Sequence, residues 1–212
     1  SPEFVWRMED ILYLYSQPYD KMRPVVCFDE RPFQMIGEVR SPISCKPGQP
    51  LRFDYEYQRN GTCNIFIFFQ PLAGWRHVEV TERRTKIDFA QQMKKLVDEH
   101  FPAVEVIRVV LDNLNTHSPA ALYEEFKPEE ARRILNKLEL HYTPKHGSWL
   151  NMAEIEISVL SQQCLDRRIP NAVILKQEVV AWEKERNALK ASVEWRFTVT
   201  DARTKLQHLY PS

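Results

Sequence analysis

The sequence has no stretch of about 18 consecutive apolar residues, the length that a membrane-spanning helix requires. Its apolar runs, such as residues 65–69, are only long enough for strands. It also has no basic segment followed by an apolar segment at its start, so no secretory signal is recognised. These absences predict a cytoplasmic protein without a membrane partner.

A net charge is lacking as well, because 29 Lys and Arg residues balance 29 Asp and Glu residues. Domains that bind nucleic acid by themselves usually carry an excess of basic residues. The balance therefore argues against a self-sufficient DNA-binding module, and we expect this chain alone to bind DNA weakly. It leaves open an enzyme that touches DNA through one local surface.

No C-x-x-C pair occurs among the four scattered cysteines, so a zinc knuckle has little support. Free cysteine is among the most buried residue types, and we expect reduced thiols that lie mostly in the core. With 43% hydrophobic and 27% charged residues, the 212-residue chain has the composition of a globular protein. That length suffices to bury a core without disulfides.

The length corresponds to one large domain or two small ones. Residues 1–4, Ser-Pro-Glu-Phe, resemble a scar left by tag removal, and we set them apart from the fold. On that interpretation the chain is a cut fragment of a longer protein. Residues 5–22 are predicted to be an N-terminal helix or linker, and residues 23–212 a domain with a helical C-terminal extension.

The pattern of apolar residues predicts an α/β fold. Strands are expected at 25–29, 51–58, 65–69, 78–80, 104–111 and 138–142, with a loop at 37–50 and a hairpin turn at Asn60-Gly61. Helices are expected at 5–16, 86–100, 118–126, 129–138, 150–164 and 172–190, whereas the tail at 193–210 has no clear pattern. This order favours a mixed sheet with an antiparallel meander and helices on both faces.

Two predicted strands end in an aspartate, Asp29 and Asp112. Aspartate is common there as a turn former, but strand ends of α/β sheets are also where sites form. On a helical wheel started at Leu150, Glu154 falls inside the apolar arc and Glu156 on the polar face. We therefore expect Glu154 to face the core or a site and Glu156 to be solvated.

Three converging carboxylates would repel one another, and a divalent cation would offset that repulsion. Oxygen ligands with open positions suit Mg²⁺ or Mn²⁺. Two such ions about 3.5–4 Å apart can activate a water or a 3′-hydroxyl and stabilise the leaving oxygen of a phosphodiester. Asp29, Asp112 and Glu154 are therefore the candidate metal ligands and catalytic residues.

Three sequence blocks carry a resemblance to a known family. They are Val-Val-Cys-Phe-Asp-Glu ending at Glu30, Leu-Asp-Asn-Leu-Asn-Thr-His ending at His117, and Tyr-Thr-Pro-Lys-His-Gly-Ser-Trp-Leu-Asn-Met-Ala-Glu ending at Glu154. In this order they resemble the catalytic domain of DDE transposases of the mariner superfamily, in the bacterial insertion sequence 630 branch. The resemblance covers nearly the whole chain.

This resemblance implies a ribonuclease H-like fold with a DDE triad at Asp29, Asp112 and Glu154 that binds two Mg²⁺ or Mn²⁺ ions. It implies cleavage of DNA at transposon ends and transfer of the 3′-hydroxyl into target DNA at the dinucleotide TA. The full-length protein is expected to be a nucleoid-associated homodimer with an N-terminal helix-turn-helix region, which this sequence does not show. The spacing between Asp112 and Glu154 is longer than is common, and the helical segment at 127–138 is expected to absorb the excess.

Residues near the triad have two interpretations each. Those that follow the second aspartate could orient the metal site or a DNA phosphate, or could be turn formers: Asn113, Asn115 and His117. Those that precede the Glu154 helix could contact DNA, or could form a packed loop: Lys145, His146, Ser148 and Trp149. Zinc ligation by His141 and His146 is disfavoured because no thiol pair joins them.

Two other functions remain open at this point. A metal-dependent nuclease or resolvase on the same fold would share the carboxylates but would not transfer strands. A co-opted transposase could bind DNA without catalysis, although three acidic residues at the triad positions argue against decay.

Overall fold

The computed structural model of the protein describes residues 1–50, 52 and 54–211. A five-stranded sheet is built from β1 (Val25–Glu38), β2 (Tyr57–Gln70), β3 (Trp75–Thr81), β4 (Ile107–Leu111) and β5 (Leu138–Tyr142). The helices are α1 (Pro2–Ser16), α2 (Lys86–Lys95), α3 (Ala120–Glu125), α4 (Pro128–Leu135), α5 (Met152–Leu160), α6 (Ala172–Ala188) and α7 (Val199–Lys205). In this part of the chain, none of them is long and apolar enough to cross a membrane.

The sheet has the strand order β3-β2-β1-β4-β5. β1, β2 and β3 form an antiparallel meander, whereas β4 pairs in parallel with β1 and β5 in parallel with β4. The predicted α/β class, the mixed sheet and the meander are therefore confirmed. The segment between β4 and α5 contains α3, α4 and β5.

Side chains alternate across the sheet and fill two cores, because successive strand residues point to opposite faces. Cys27 belongs to the core under α1, α5, α6 and α7. Val26 and Phe28 belong to the opposite core, under α2, α3 and α4. Helices therefore cover both faces, as predicted.

The prediction that the first strand ends at Asp29 is wrong. The parallel pairing of β1 with β4 stops at Cys27, but β1 continues to pair with β2 as far as Glu38. Burial is continuous only at Val26–Phe28, at or next to the short part of β1 that has neighbours on both sides, so the apolar run marks this buried part and not the whole strand. Asp29 consequently lies within β1, at the point where its parallel neighbour ends.

The prediction of a hairpin turn at Asn60-Gly61 is also wrong, because both residues lie within β2. They stand opposite the single residue Met35, which makes a β-bulge. Gly61 has φ 93°, a conformation that glycine adopts without a steric cost. The same dipeptide that favours tight turns here provides the extra residue of a bulge, and residues 39–56 make the connection instead.

The predicted half-buried strand at 51–58 is not found in the described residues. β2 begins only at Tyr57, and the side chain of Tyr55 is 92% exposed. The other two members of the alternating pattern, Leu51 and Phe53, lie outside the described residues. Among the described residues of this segment, Arg52 makes an isolated antiparallel bridge with Ile43, and continuous pairing with β1 begins where Tyr57 meets Glu38.

Both ends of the chain pack on the domain. Residues 2–4, which the sequence analysis set apart, belong to α1, and Ser1 accepts a hydrogen bond from the Phe4 amide as its N-cap. The tail, for which no structure was predicted, contains α7 and packs on the core that also includes α1. Three of the four cysteines are buried as expected, and Cys45 is exposed.

Candidate active site

Two aspartates follow the paired parts of the parallel strands β1 and β4, at the same edge of the sheet. Cys27 of β1 pairs with Val110 of β4, and each aspartate comes two residues later in its strand direction. Asp112 is the first residue after β4, and Asp29 is the second residue of β1 beyond this pairing, on the same face of the sheet as Cys27. The parallel register therefore brings the two acids to one place, although Asp29 does not end its strand.

Glu154 reaches the same place from α5. Asn151 caps this helix, because its side-chain oxygen accepts a hydrogen bond from the Ala153 amide at 3.1 Å. The Asn151 side-chain nitrogen donates to the Phe28 carbonyl at 2.9 Å, which ties the start of α5 to β1 directly beside Asp29. Asp29 and Glu154 line one open cleft. Sequence analysis missed Asn151; the signal was an Asn just before an apolar helix, which is a preferred N-cap.

Of the two predictions for the glutamates in α5, that of a solvated Glu156 is wrong, whereas Glu154 faces the cleft and not the core. Glu154 is exposed, whereas the side chain of Glu156 is fully buried. Glu156 pairs with Arg76 of β3 at 2.8 Å and with Arg186 of α6 at 3.1 Å. These two arginines supply the charge that permits its burial, and neither is visible from the local sequence.

The wheel failed because it assumed one regular helix from Leu150 to Leu165. Leu150 lies in a 3₁₀ turn that is separated from α5 by the extended residue Asn151. Leu165 lies in a π-helical turn. An advance of about 100° per residue does not hold across such turns, so the apolar arc was placed on the wrong side.

Negative charge is concentrated around Asp29. Burial of Asp29, together with the nearby carboxylates of Asp112, Glu30 and Glu154, raises its pKa to about 7. The Glu30 amide, which donates a hydrogen bond to Asp29 Oδ1 at 2.8 Å, acts in the opposite direction and lowers this pKa. The charged form of Asp29 is therefore destabilised where it stands. A cation at this position would restore the charged form.

His117 lies buried between two carboxylates. Its Nδ1 is 2.5 Å from Asp112 Oδ1, and its Nε2 is 2.8 Å from Glu30 Oε2. Burial alone would lower the pKa of His117, but Asp112 and Glu30 raise it to about 9. With a side chain that is 1% exposed, His117 is not placed to contact a DNA phosphate, one of the two roles weighed for it.

Glu30 was not singled out in the sequence, although it follows Asp29 directly. Because neighbouring strand residues point to opposite faces, Asp29 faces the α5 side of the sheet and Glu30 the α3 side. There the Glu30 side chain is 2% exposed and meets His117. The presence of two acids in succession at the end of an apolar run was the available signal.

The remaining predicted residues are divided between a groove and a packed aromatic cluster. Asn113, Lys145 and His146 line an open groove together with Arg7. Trp149 is 41% exposed and packs on two rings of the tail, Trp195 at 6.3 Å and Phe197 at 6.0 Å between ring centres. Asn115, which lies between β4 and α3, and Ser148, which lies shortly before α5, are exposed. His141 pairs with Asp10 and Glu139.

The residues present fit a divalent cation. Carboxylate oxygens are the donors that Mg²⁺ and Mn²⁺ prefer, and Asp29 lies near the carboxylates of Asp112, Glu30 and Glu154. Ligand atoms of Glu30, Asp112 and His117 also lie within 4.8 Å of one another. Both ring nitrogens of His117 already face carboxylates, however, so the open donors of the site are those of Asp29, Asp112 and Glu154.

Comparison with known proteins identifies the family. Residues 24–176 match the family model described as DDE superfamily endonuclease. No curated protein matches this sequence.

Solved structures of the Mos1 mariner transposase have the same fold. The paired-end complex with Mn is 15% identical with a TM-score of 0.61, the strand transfer complex 14% with 0.62, and the paired-end complex with Mg 17% with 0.57. These matches cover 89%, 89% and 94% of this chain but only 56%, 55% and 62% of the Mos1 chains. The likeness confirms the predicted ribonuclease H-like fold, and this chain spans somewhat more than half the length of those proteins.

The two glutamates of α5 should differ sharply in their effect on stability. We expect Glu156→Gln to lower the free energy of unfolding by about 3–5 kcal/mol, because it leaves Arg76 buried without its carboxylate. Glu154→Gln should change it by no more than about 0.5 kcal/mol, since Glu154 is exposed. Urea denaturation of both variants without divalent metal provides the measurement. Equal stability of Glu156→Gln and the parent would contradict the assignment of the buried ion pair.

Proposed function

The chain belongs to the DDE superfamily endonuclease family, and from this premise we propose that it is the catalytic domain of a mariner-superfamily transposase of the insertion sequence 630 branch. Its activity is metal-dependent DNA cleavage at transposon ends, followed by transfer of the 3′-hydroxyl into target DNA at TA. The observation that carries the proposal is the convergence of Asp29, Asp112 and Glu154 from two parallel strands and the start of α5.

In this proposal the three carboxylates hold one or two divalent cations. When bound, Mg²⁺ or Mn²⁺ supplies the activation of a water or 3′-hydroxyl and the stabilisation of the leaving oxygen. Asp29 and Asp112 are fixed by the strand register, and Glu154 by the Asn151 cap that is hydrogen-bonded to β1. A rigid frame of this kind positions donors before the substrate arrives, which is the main contribution that a protein makes to such a reaction.

DNA is proposed to approach along the groove lined by Arg7, Asn113, Lys145 and His146. Asn113 follows Asp112 directly, so a strand in this groove passes beside the carboxylates. Arginine and lysine contact phosphates and fix the register of a duplex without reading its sequence. Because the whole chain is neutral, such contacts are few, and selective binding of transposon ends falls to other parts of a full-length homodimer.

The proposed roles of the triad can be tested by isosteric variants. Asp29→Asn, Asp112→Asn and Glu154→Gln should each abolish Mg²⁺-dependent cleavage and strand transfer by the full-length protein, because each removes an anionic metal ligand. The assay uses a duplex of the terminal repeat that flanks the gene, with a target plasmid, and EDTA should stop it. Glu129→Gln is the matched control, since Glu129 is likewise an exposed glutamate in the first turn of a helix.

Three outcomes of this assay would count against the proposal. Cleavage that persists in the triad variants would show that the assigned carboxylates are not the catalytic ones. Cleavage without strand transfer in the parent would favour a nuclease or resolvase. DNA binding without metal-dependent cleavage in the parent would favour a co-opted, non-catalytic protein.

The groove makes a separate prediction about salt. Lys145→Gln should weaken binding of this chain to duplex DNA about equally for all sequences. It should also reduce the slope of log affinity against log salt concentration by about one, as expected for one lost phosphate contact. Fluorescence anisotropy over a range of NaCl concentrations measures both quantities. Lys184→Gln, on the exposed surface of α6, should leave the slope unchanged; equal effects of the two variants would exclude the groove as the DNA path.

A further inference from the structure

His117 lies against one oxygen of the Asp112 carboxylate. Its Nδ1 lies 2.5 Å from Asp112 Oδ1, an oxygen that is itself buried, while the Asp112 side chain as a whole is 27% exposed. The exposed remainder of this carboxylate is thus left available to the site. The same ring nitrogen lies 3.3 Å from the Asp112 backbone carbonyl oxygen. Pairing of one carboxylate oxygen with the imidazole therefore limits the directions in which the other oxygen can act as a ligand.

The imidazole ring is itself held on every side that the structure describes. Glu30 engages Nε2 at 2.8 Å. The ring packs against Phe28 at 5.3 Å and Phe89 at 5.0 Å between ring centres. The Tyr142 hydroxyl donates to the His117 carbonyl at 2.7 Å. A side chain restrained in this way has few alternative rotamers and can orient its partner.

We propose that His117, anchored by Glu30, is the positioning residue that orients Asp112 for binding of the divalent cation. This inference rests on the proposed function, because it concerns the same metal site. Both ring nitrogens face carboxylate oxygens, so neither has a free lone pair for a metal. With 1% of its side chain exposed, His117 also has no access to DNA.

The loss of such a partner has a characteristic size. Residues that hydrogen-bond to metal ligands typically contribute about 10-fold to 100-fold in metal affinity or activity. Removal of His117 should therefore weaken metal binding within this range even when the protein stays folded. A purely structural role would lower stability but would leave the metal affinity of the folded molecules unchanged.

The test measures binding of Mn²⁺ to the whole chain by the loss of the free-ion electron paramagnetic resonance signal, after thermal melts establish that each variant is folded. His117→Leu should raise the Mn²⁺ dissociation constant by about 10-fold to 100-fold. His117→Gln should restore part of the affinity, because its amide can still donate to Asp112. If His117→Leu fails to fold, the proposal is tested with His117→Gln and the isosteric Glu30→Gln, each of which should lower the Mn²⁺ affinity by a smaller factor.

His141→Gln is the matched control, since His141 also bridges two carboxylates, Asp10 and Glu139, but lies away from the cleft. It should leave Mn²⁺ binding unchanged. Folded His117 and Glu30 variants that bind Mn²⁺ as tightly as the parent would overturn the positioning role, as would an equal loss in the His141 variant. A parent that binds no Mn²⁺ would instead refute the metal site of the proposed function, so the two failures are distinguishable.

Discussion

Repulsion among acids that the strand register forces together is the constraint on which the rest of this structure depends. The parallel pairing of β1 and β4 brings Asp29 and Asp112 to one edge, and α5 adds Glu154. The protein offsets only part of this charge with its own cations. His117 lies between Asp112 and Glu30, whereas in the described part of the chain neither Asp29 nor Glu154 takes part in a recorded ion pair. The charge left over is what a divalent cation would balance.

The frame around the acids is correspondingly rigid. Glu156, two residues beyond Glu154, anchors α5 to β3 and α6 through the buried Arg76 and Arg186. Asn151 anchors the start of the same helix to β1. Because both anchors are buried, α5 has little freedom to shift when its exposed Glu154 is repelled by the neighbouring acids of the site. These buried contacts offset the electrostatic repulsion among the acids, and they hold the carboxylates in place before any metal or DNA binds.

Local sequence was sufficient to predict that strands and a helix carry the site, but not where each of them begins and ends. The runs that end near Asp29 and Asp112 are short, apolar and bounded by polar residues, so they reveal core strands without tertiary information. The same reasoning failed for Asn60-Gly61, because a bulge, like a turn, can place a glycine at positive φ, as at Gly61, and only the strand partner distinguishes the two. It also placed the end of β1 too early, since burial stops before strand pairing does.

The chemistry around the triad was less accessible from the sequence. The partners of Glu156 are Arg76 and Arg186, which are distant in the chain, so a buried glutamate looked like a surface one. His117 was seen as an orienting or DNA-contacting residue, but its other partner, Glu30, was missed. Pairings of this kind depend on which face of the sheet each residue occupies, and that is settled by long-range packing.

The central claim, that the three carboxylates form one metal site, is tested most directly by crystals of this chain soaked in MnCl₂ and measured at the manganese absorption edge. The account predicts one or two anomalous peaks bounded by carboxylate oxygens of Asp29, Asp112 and Glu154, with His117 still paired with Asp112. Manganese bound instead through a His117 nitrogen and Glu30, or no peak beside Asp29 in well-ordered crystals, would contradict it.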